Sequence, residues 1–137
     1  MQTRIAHLQL NAAPENLPFY RELFAFLGWE AIDDSAGSLG VADPGGVTLW
    51  FLGQAKAVSN DYDGPGLNHL AIGAASQADV NAAADFLRAR RLEPLFGTPQ
   101  HRPDFAGSED QTYYQVMFES PDRILFEVVY TGPKVAS

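Results

Sequence analysis

The chain repeats itself, and that constrains its fold more than any other feature. Ile5-Ala6-His7-Leu8-Gln9-Leu10 resembles Leu67-Asn68-His69-Leu70-Ala71-Ile72, and the two histidines lie 62 residues apart. Each segment reads as a short apolar strand, followed by a turn and a helix-period stretch. Leu17, Tyr20, Phe24 and Leu27 form one apolar stripe, so the first helix is expected from near Pro14 to about Leu27, with Gly28 as its stop. Val80, Ala83, Ala84 and Leu87 form the second stripe, placing a helix from about Gln77 to Arg90 with Ser76 as its N-cap. Two tight turns, Asp43-Pro44-Gly45-Gly46 and Ser120-Pro121-Asp122-Arg123, lead into the apolar strands Val47 to Leu52 and Ile124 to Tyr130. Ser38 to Ala42 and Thr112 to Glu119 precede them as hairpin partners. Each copy is thus strand, helix, then about three strands: unit 1 over about 3–53, a linker over about 54–66, and unit 2 over about 67–131. The polar stretch Gly97 to Gln111, with its prolines and glycines, reads as a loop.

Strand alternation converts the repeat into candidate chemistry. Leu8 and Leu10 share the helix-facing side of the first strand, so His7 and Gln9 point the other way. Leu70 and Ile72 do the same in copy two, leaving His69 opposite. In the last strand Ile124, Phe126, Val128 and Tyr130 make the helix-facing row, and Glu127 faces away between Leu125 and Val129. A carboxylate in such apolar company requires a partner. If the sheets curve toward a shared cleft, His7, His69 and Glu127 converge as a 2-His-1-carboxylate set. That set suits divalent Fe, Mn, Ni or Zn and leaves positions open for substrate or water.

Composition narrows the partners. The 137 residues are one domain's worth of chain, or two small units. There is no cysteine, which removes disulfides, thiolate metal sites and cysteine nucleophiles. The formal net charge is −8, and no basic cluster offsets it, so nucleic acid and anionic membranes are disfavoured and a small molecule or a protein is expected. No apolar run approaches a membrane span, and Met1-Gln2-Thr3-Arg4 lacks the layout of a secretory signal, so a cytoplasmic location is expected.

The paired units resemble the vicinal oxygen chelate superfamily, which includes glyoxalase I, extradiol dioxygenases, fosfomycin-resistance proteins and bleomycin-binding proteins. The resemblance runs from Ile5 to Tyr130. It is carried by Ile5-Ala6-His7-Leu8, by Phe19-Tyr20-Arg21-Glu22-Leu23-Phe24 with Leu27-Gly28-Trp29, by Gly66-Leu67-Asn68-His69-Leu70-Ala71, and by Tyr113 to Asp122 leading into Leu125-Phe126-Glu127-Val128. It implies an α+β fold of two βαβββ repeats, as curled mixed sheets with helices on the outer face. It implies His7, His69 and Glu127 as metal ligands, and a homodimer. The fourth ligand position of the family falls on Trp50, six residues after Pro44 as Glu127 is six after Pro121. A three-ligand site is then expected, as in the extradiol dioxygenases and fosfomycin-resistance enzymes, with Trp50 stacking on the substrate.

The function expected from this resemblance is a metal-dependent enzyme, lyase, isomerase or dioxygenase, acting on a small oxygen-rich substrate chelated to a divalent metal. The competing expectation is a metal-free small-molecule binding protein of the bleomycin-resistance type. Tyr113, Gln115 and Met117 alternate with the core row Tyr114, Val116 and Phe118, so they are expected to line the cleft with Gln9 and Trp50. His101 reads as a solvated loop residue, with service as a general base as its alternative. Neutral imidazole is needed for ligation, so metal occupancy should fall below about pH 6.

Overall fold

A computed structural model describes residues 1–136. The chain divides into two compact units, Met1–Ser59 and a second beginning at Asn60. The latter therefore includes the second half of the stretch expected to be a linker.

Unit 1 contains β1 (His7–Asn11), a 3-10 turn (Pro14–Asn16), α1 (Leu17–Phe26), β2 (Glu30–Ser35), β3 (Ser38–Ala42) and β4 (Thr48–Leu52). Its sheet has the order β1-β4-β3-β2, with β1 parallel to β4 and the other neighbours antiparallel. Leu17, Tyr20, Leu23 and Phe24 of α1 are buried, as are Leu39, Val41, Leu49 and Phe51 of the sheet. Tyr20 stacks on Phe51 with ring centroids 4.3 Å apart, which fixes the helix on the sheet.

Unit 2 contains β5 (Leu70–Gly73), α2 (Gln77–Ala89), β6 (Leu95–His101), a 3-10 turn (Pro103–Phe105), β7 (Gln111–Glu119) and β8 (Leu125–Pro133). Its order, β5-β8-β7-β6, reproduces that of unit 1, again with one parallel pair. Parallel strands need a crossover, and in each unit the helix and the intervening strands supply it. Ser76 caps α2 as expected, its hydroxyl accepting from the Asp79 amide at 3.1 Å. Val80, Ala83, Ala84 and Leu87 pack beneath Val116, Phe118, Phe126 and Val128, all buried.

The expected α+β architecture of two βαβββ units is the one observed. The polar stretch read as a loop is not one throughout. Residues up to His101 pair with β7 as β6, and Pro103–Phe105 form a 3-10 turn. The alternation that would reveal β6 is broken between Leu95 and Gln100, where the register shifts and Phe96 and Gly97 adopt left-handed backbone at φ of 58° and 71°. Among the described residues no helix is long and apolar enough to cross a membrane.

Candidate functional site

In unit 2 the register places Ala71 and Met117 on either side of Glu127. Paired residues of adjacent strands share a face, so Tyr113, Gln115 and Met117 of β7 lie on the Glu127 side of the sheet. Glu127 is only 2% exposed. Such a carboxylate requires donors, and two side chains supply them to Oε1. The Tyr113 hydroxyl donates to Oε1 at 2.6 Å. The Gln115 amide, 2.8 Å away, donates to the same oxygen through Nε2, while its Oε1 accepts from Arg102 at 3.2 Å. The opposite amide orientation would set oxygen against oxygen and nitrogen against nitrogen. Nε2 of His69, the residue just before β5, stands 3.1 Å from Oε2. Burial and then the bond to Glu127 push the Tyr113 phenol up to about 12.

Around this core lie groups that the alternation argument does not single out. Arg102 sits over the Phe105 ring at 4.8 Å from its centroid, and Phe105 meets Tyr113 edge-on at 5.3 Å. Phe105 is 58% exposed, an apolar ring presented beside Tyr113 and Arg102. On the other flank Asn68 Oδ1 is 2.8 Å from His69 Nδ1. The signal for Asn68 and Arg102 was present only as adjacency to His69 and to the polar stretch.

In unit 1, His7 pairs with Thr48 and Gln9 with Trp50, so these four side chains share the face away from α1. His7 and Gln9 are exposed. The Gln9 amide donates to Asn11 Oδ1 at 3.2 Å. The Trp50 indole donates to the Thr48 hydroxyl at 3.1 Å, and its ring lies flat over Gly40, where a side chain would collide with it.

His101 departs from the expected arrangement. It pairs with Tyr114, the hydroxyl of which reaches Asn81 on α2, so its ring lies on the helix side of the sheet, opposite Glu127. There it bonds the Thr112 hydroxyl and packs at a tilt of 42° against the Tyr114 ring. Burial, then the charge of Lys134, lowers its pKa. The strand that replaces the expected loop is the reason: alternation turns Gln100 toward Gln115 and His101 away.

The donor set of unit 2 fits a divalent ion. Two ligand atoms 3.1 Å apart, each about 2.1 Å from a common ion, subtend about 95° at it. Imidazole nitrogen and carboxylate oxygen are the donor types of 2-His-1-carboxylate centres. Among the described residues, no group of three or more His, Cys, Asp or Glu side chains is placed to hold a metal ion, so His69 and Glu127 stand as a pair and His7 is not brought to them.

No protein-family model and no curated protein matches the chain. Solved structures do. A candidate glyoxalase from Bacillus halodurans is similar at 27% identity, with 94% of this chain and 96% of that one covered and a TM-score of 0.76. A glyoxylase/bleomycin resistance protein/dioxygenase domain from Frankia sp. EAN1pec is similar at 19% identity, with 96% and 98% covered and a TM-score of 0.66. The fosfomycin resistance protein FosX from Listeria monocytogenes, solved with Mn(II) and sulfate, is similar at 18% identity, with 96% and 93% covered and a TM-score of 0.69. The fold is therefore that of the glyoxalase/bleomycin resistance/dioxygenase proteins. These neighbours are consistent with the vicinal oxygen chelate superfamily.

Proposed function

We propose that the chain is a metal-dependent, glyoxalase-like enzyme, a lyase, isomerase or dioxygenase, acting on a small oxygen-rich organic substrate. The observation that carries this reading is the approach of His69 Nε2 to the buried Glu127 Oε2 at 3.1 Å. In this reading His69 and Glu127 hold a divalent ion, and His7 is the third ligand that the resemblance implies, in a chain expected to act as a homodimer. Mn(II) in the similar FosX structure supports the choice of a divalent ion, with Zn, Ni and Fe(II) as the other candidates. The ion supplies Lewis acidity toward two adjacent substrate oxygens.

The chain's own residues do the rest. Tyr113 and Gln115 fix one Glu127 oxygen and leave the other turned to His69. Arg102 spends one guanidinium contact on Gln115, and its other donors serve an anionic substituent of the substrate. The exposed Phe105 ring offers an apolar wall beside them. His101, across the sheet, takes no part.

One observation favours a second reading, a metal-free binding protein of the bleomycin-resistance type. His69 Nε2 and Glu127 Oε2 lie 3.1 Å apart, within hydrogen-bond distance of each other without an ion between them. Titration of the purified, chelator-treated chain with Mn(II), Zn(II), Ni(II) and Fe(II) separates the two. One ion bound per chain, lost in His7→Ala, His69→Ala and Glu127→Gln, is expected. Failure of all four ions to bind overturns the enzyme reading in favour of the binder.

A further inference from the structure

The segment Asn60 to Asn68 belongs to unit 2, is fastened to its turn and sheet at two points and is closed on itself at a third. The Asn60 amide donates to the Arg123 carbonyl at 2.9 Å. The Tyr62 hydroxyl donates to Glu119 Oε1 at 2.6 Å. The Asn68 amide nitrogen donates to the Tyr62 carbonyl at 2.9 Å, with Asp63 Oδ1 at 3.5 Å as a second acceptor. Two acceptors on one side of the Asn68 amide settle its orientation: nitrogen toward Tyr62 and Asp63, oxygen toward His69. That oxygen is 2.8 Å from His69 Nδ1. An amide oxygen only accepts, so Nδ1 must carry a proton and donate it. Nδ1 is thereby committed, and Nε2 is the nitrogen turned to Glu127.

We infer that Asn68 is a positioning residue for His69. Held by the Tyr62 carbonyl, it fixes the proton on Nδ1 and the ring angle, and so presents Nε2 as the ligating atom. The tie from Tyr62 to Glu119 makes this segment of unit 2 a support for the site rather than a slack tether. The affinity part of this inference rests on the metal reading above; the proton placement does not. Outer partners of this kind change metal affinity by about 10- to 100-fold when removed.

The test uses the full chain labelled with ¹⁵N. In metal-free protein a slowly exchanging proton is expected on His69 Nδ1, retained in Asn68→Asp, which keeps an acceptor there, and lost in Asn68→Leu. The Mn(II) dissociation constant is expected to rise about 10- to 100-fold in Asn68→Leu and far less in Asn68→Asp. Circular dichroism of each variant checks that it is folded. A wild-type ring without a proton on Nδ1, or Asn68→Leu with that proton still protected, overturns the inference. Unchanged Mn(II) affinity in Asn68→Leu overturns it as well. If the wild type binds no ion, the metal reading falls while the Nδ1 proton still decides the role of Asn68.

Discussion

Gly28 and Arg91 occupy equivalent places in the two units and close the two helices with the same pair of hydrogen bonds. The Gly28 amide reaches Ala25 and the Trp29 amide reaches Phe24; the Arg91 amide reaches Arg88 and the Leu92 amide reaches Leu87. Both are Schellman closures, and both central residues have left-handed backbone, φ 84° for Gly28 and 61° for Arg91. In unit 1 the accompanying apolar contact is Phe24 against Trp29, centroids 5.2 Å apart.

The asymmetry between these two positions is testable. A left-handed conformation costs a residue with a Cβ about 1 kcal/mol that glycine does not incur. Arg91→Gly is therefore expected to stabilise the chain by about 0.5–1 kcal/mol, and Gly28→Ala to destabilise it by a similar amount. Urea denaturation of both variants checks the pair, and a loss of stability in Arg91→Gly would contradict this account of the helix end.

The same comparison shows what the sequence makes legible. Gly28 announces the end of α1, whereas Arg91 announces nothing, although the repeat places it in the same role. Helix stripes, the Ser76 cap and the facing of Tyr113 and Gln115 follow from periodicity, because burial on one side enforces it. β6 escapes because its pattern is interrupted at Phe96 and Gly97. β2 escapes because it is exposed along most of its length and carries no apolar row. Asn68 and Arg102 escape for a different reason. Their roles are set by which neighbour orients an amide, and no spacing rule encodes that.

Gly40 makes room for Trp50. A Cβ there would lie 2.7 Å from the indole Cζ3, against a rigid ring rather than a flexible chain end. Gly40→Ala should therefore displace Trp50 and destabilise the chain by about 1–3 kcal/mol. Tryptophan emission in a Trp29→Phe background, with denaturation, reads both effects. Unchanged emission and stability would show that the sheet yields instead.

The Tyr113 phenol predicts an alkaline effect. Its pKa is raised to about 12, so the folded chain holds this proton more tightly than the unfolded chain, where phenols titrate near 10. The associated stability is complete below about pH 10 and is lost as pH rises from about 10 through 12. Relative to Tyr113→Phe, the wild type should lose about 1 kcal/mol by pH 11. Urea midpoints of the two proteins between pH 8 and 11 check it; parallel profiles would mean that burial and the bond to Glu127 do not hold this proton.

Gln115 predicts an acid effect of the opposite kind. Its amide nitrogen is the only part of it that faces Glu127, at 2.8 Å, and both residues are buried. Gln115→Glu replaces that donor with an acceptor and, near neutral pH, a second negative charge. Two carboxylates at such a distance cannot both stay ionised without large cost; a shared proton restores a donor between them. The variant should be destabilised at pH 8, by about 3 kcal/mol or more, and recover part of that loss toward pH 5 while the wild type does not. The sign follows from proton binding. The folded variant takes up a proton that the unfolded chain binds only at lower pH, so its stability relative to wild type rises as pH falls. Gln115→Leu serves as the control: it removes the donor without adding charge, so its deficit should not shrink on acidification. Equal pH profiles for the two variants would mean that a carboxylate at 115 does not couple to Glu127, its charge being met by Arg102 instead.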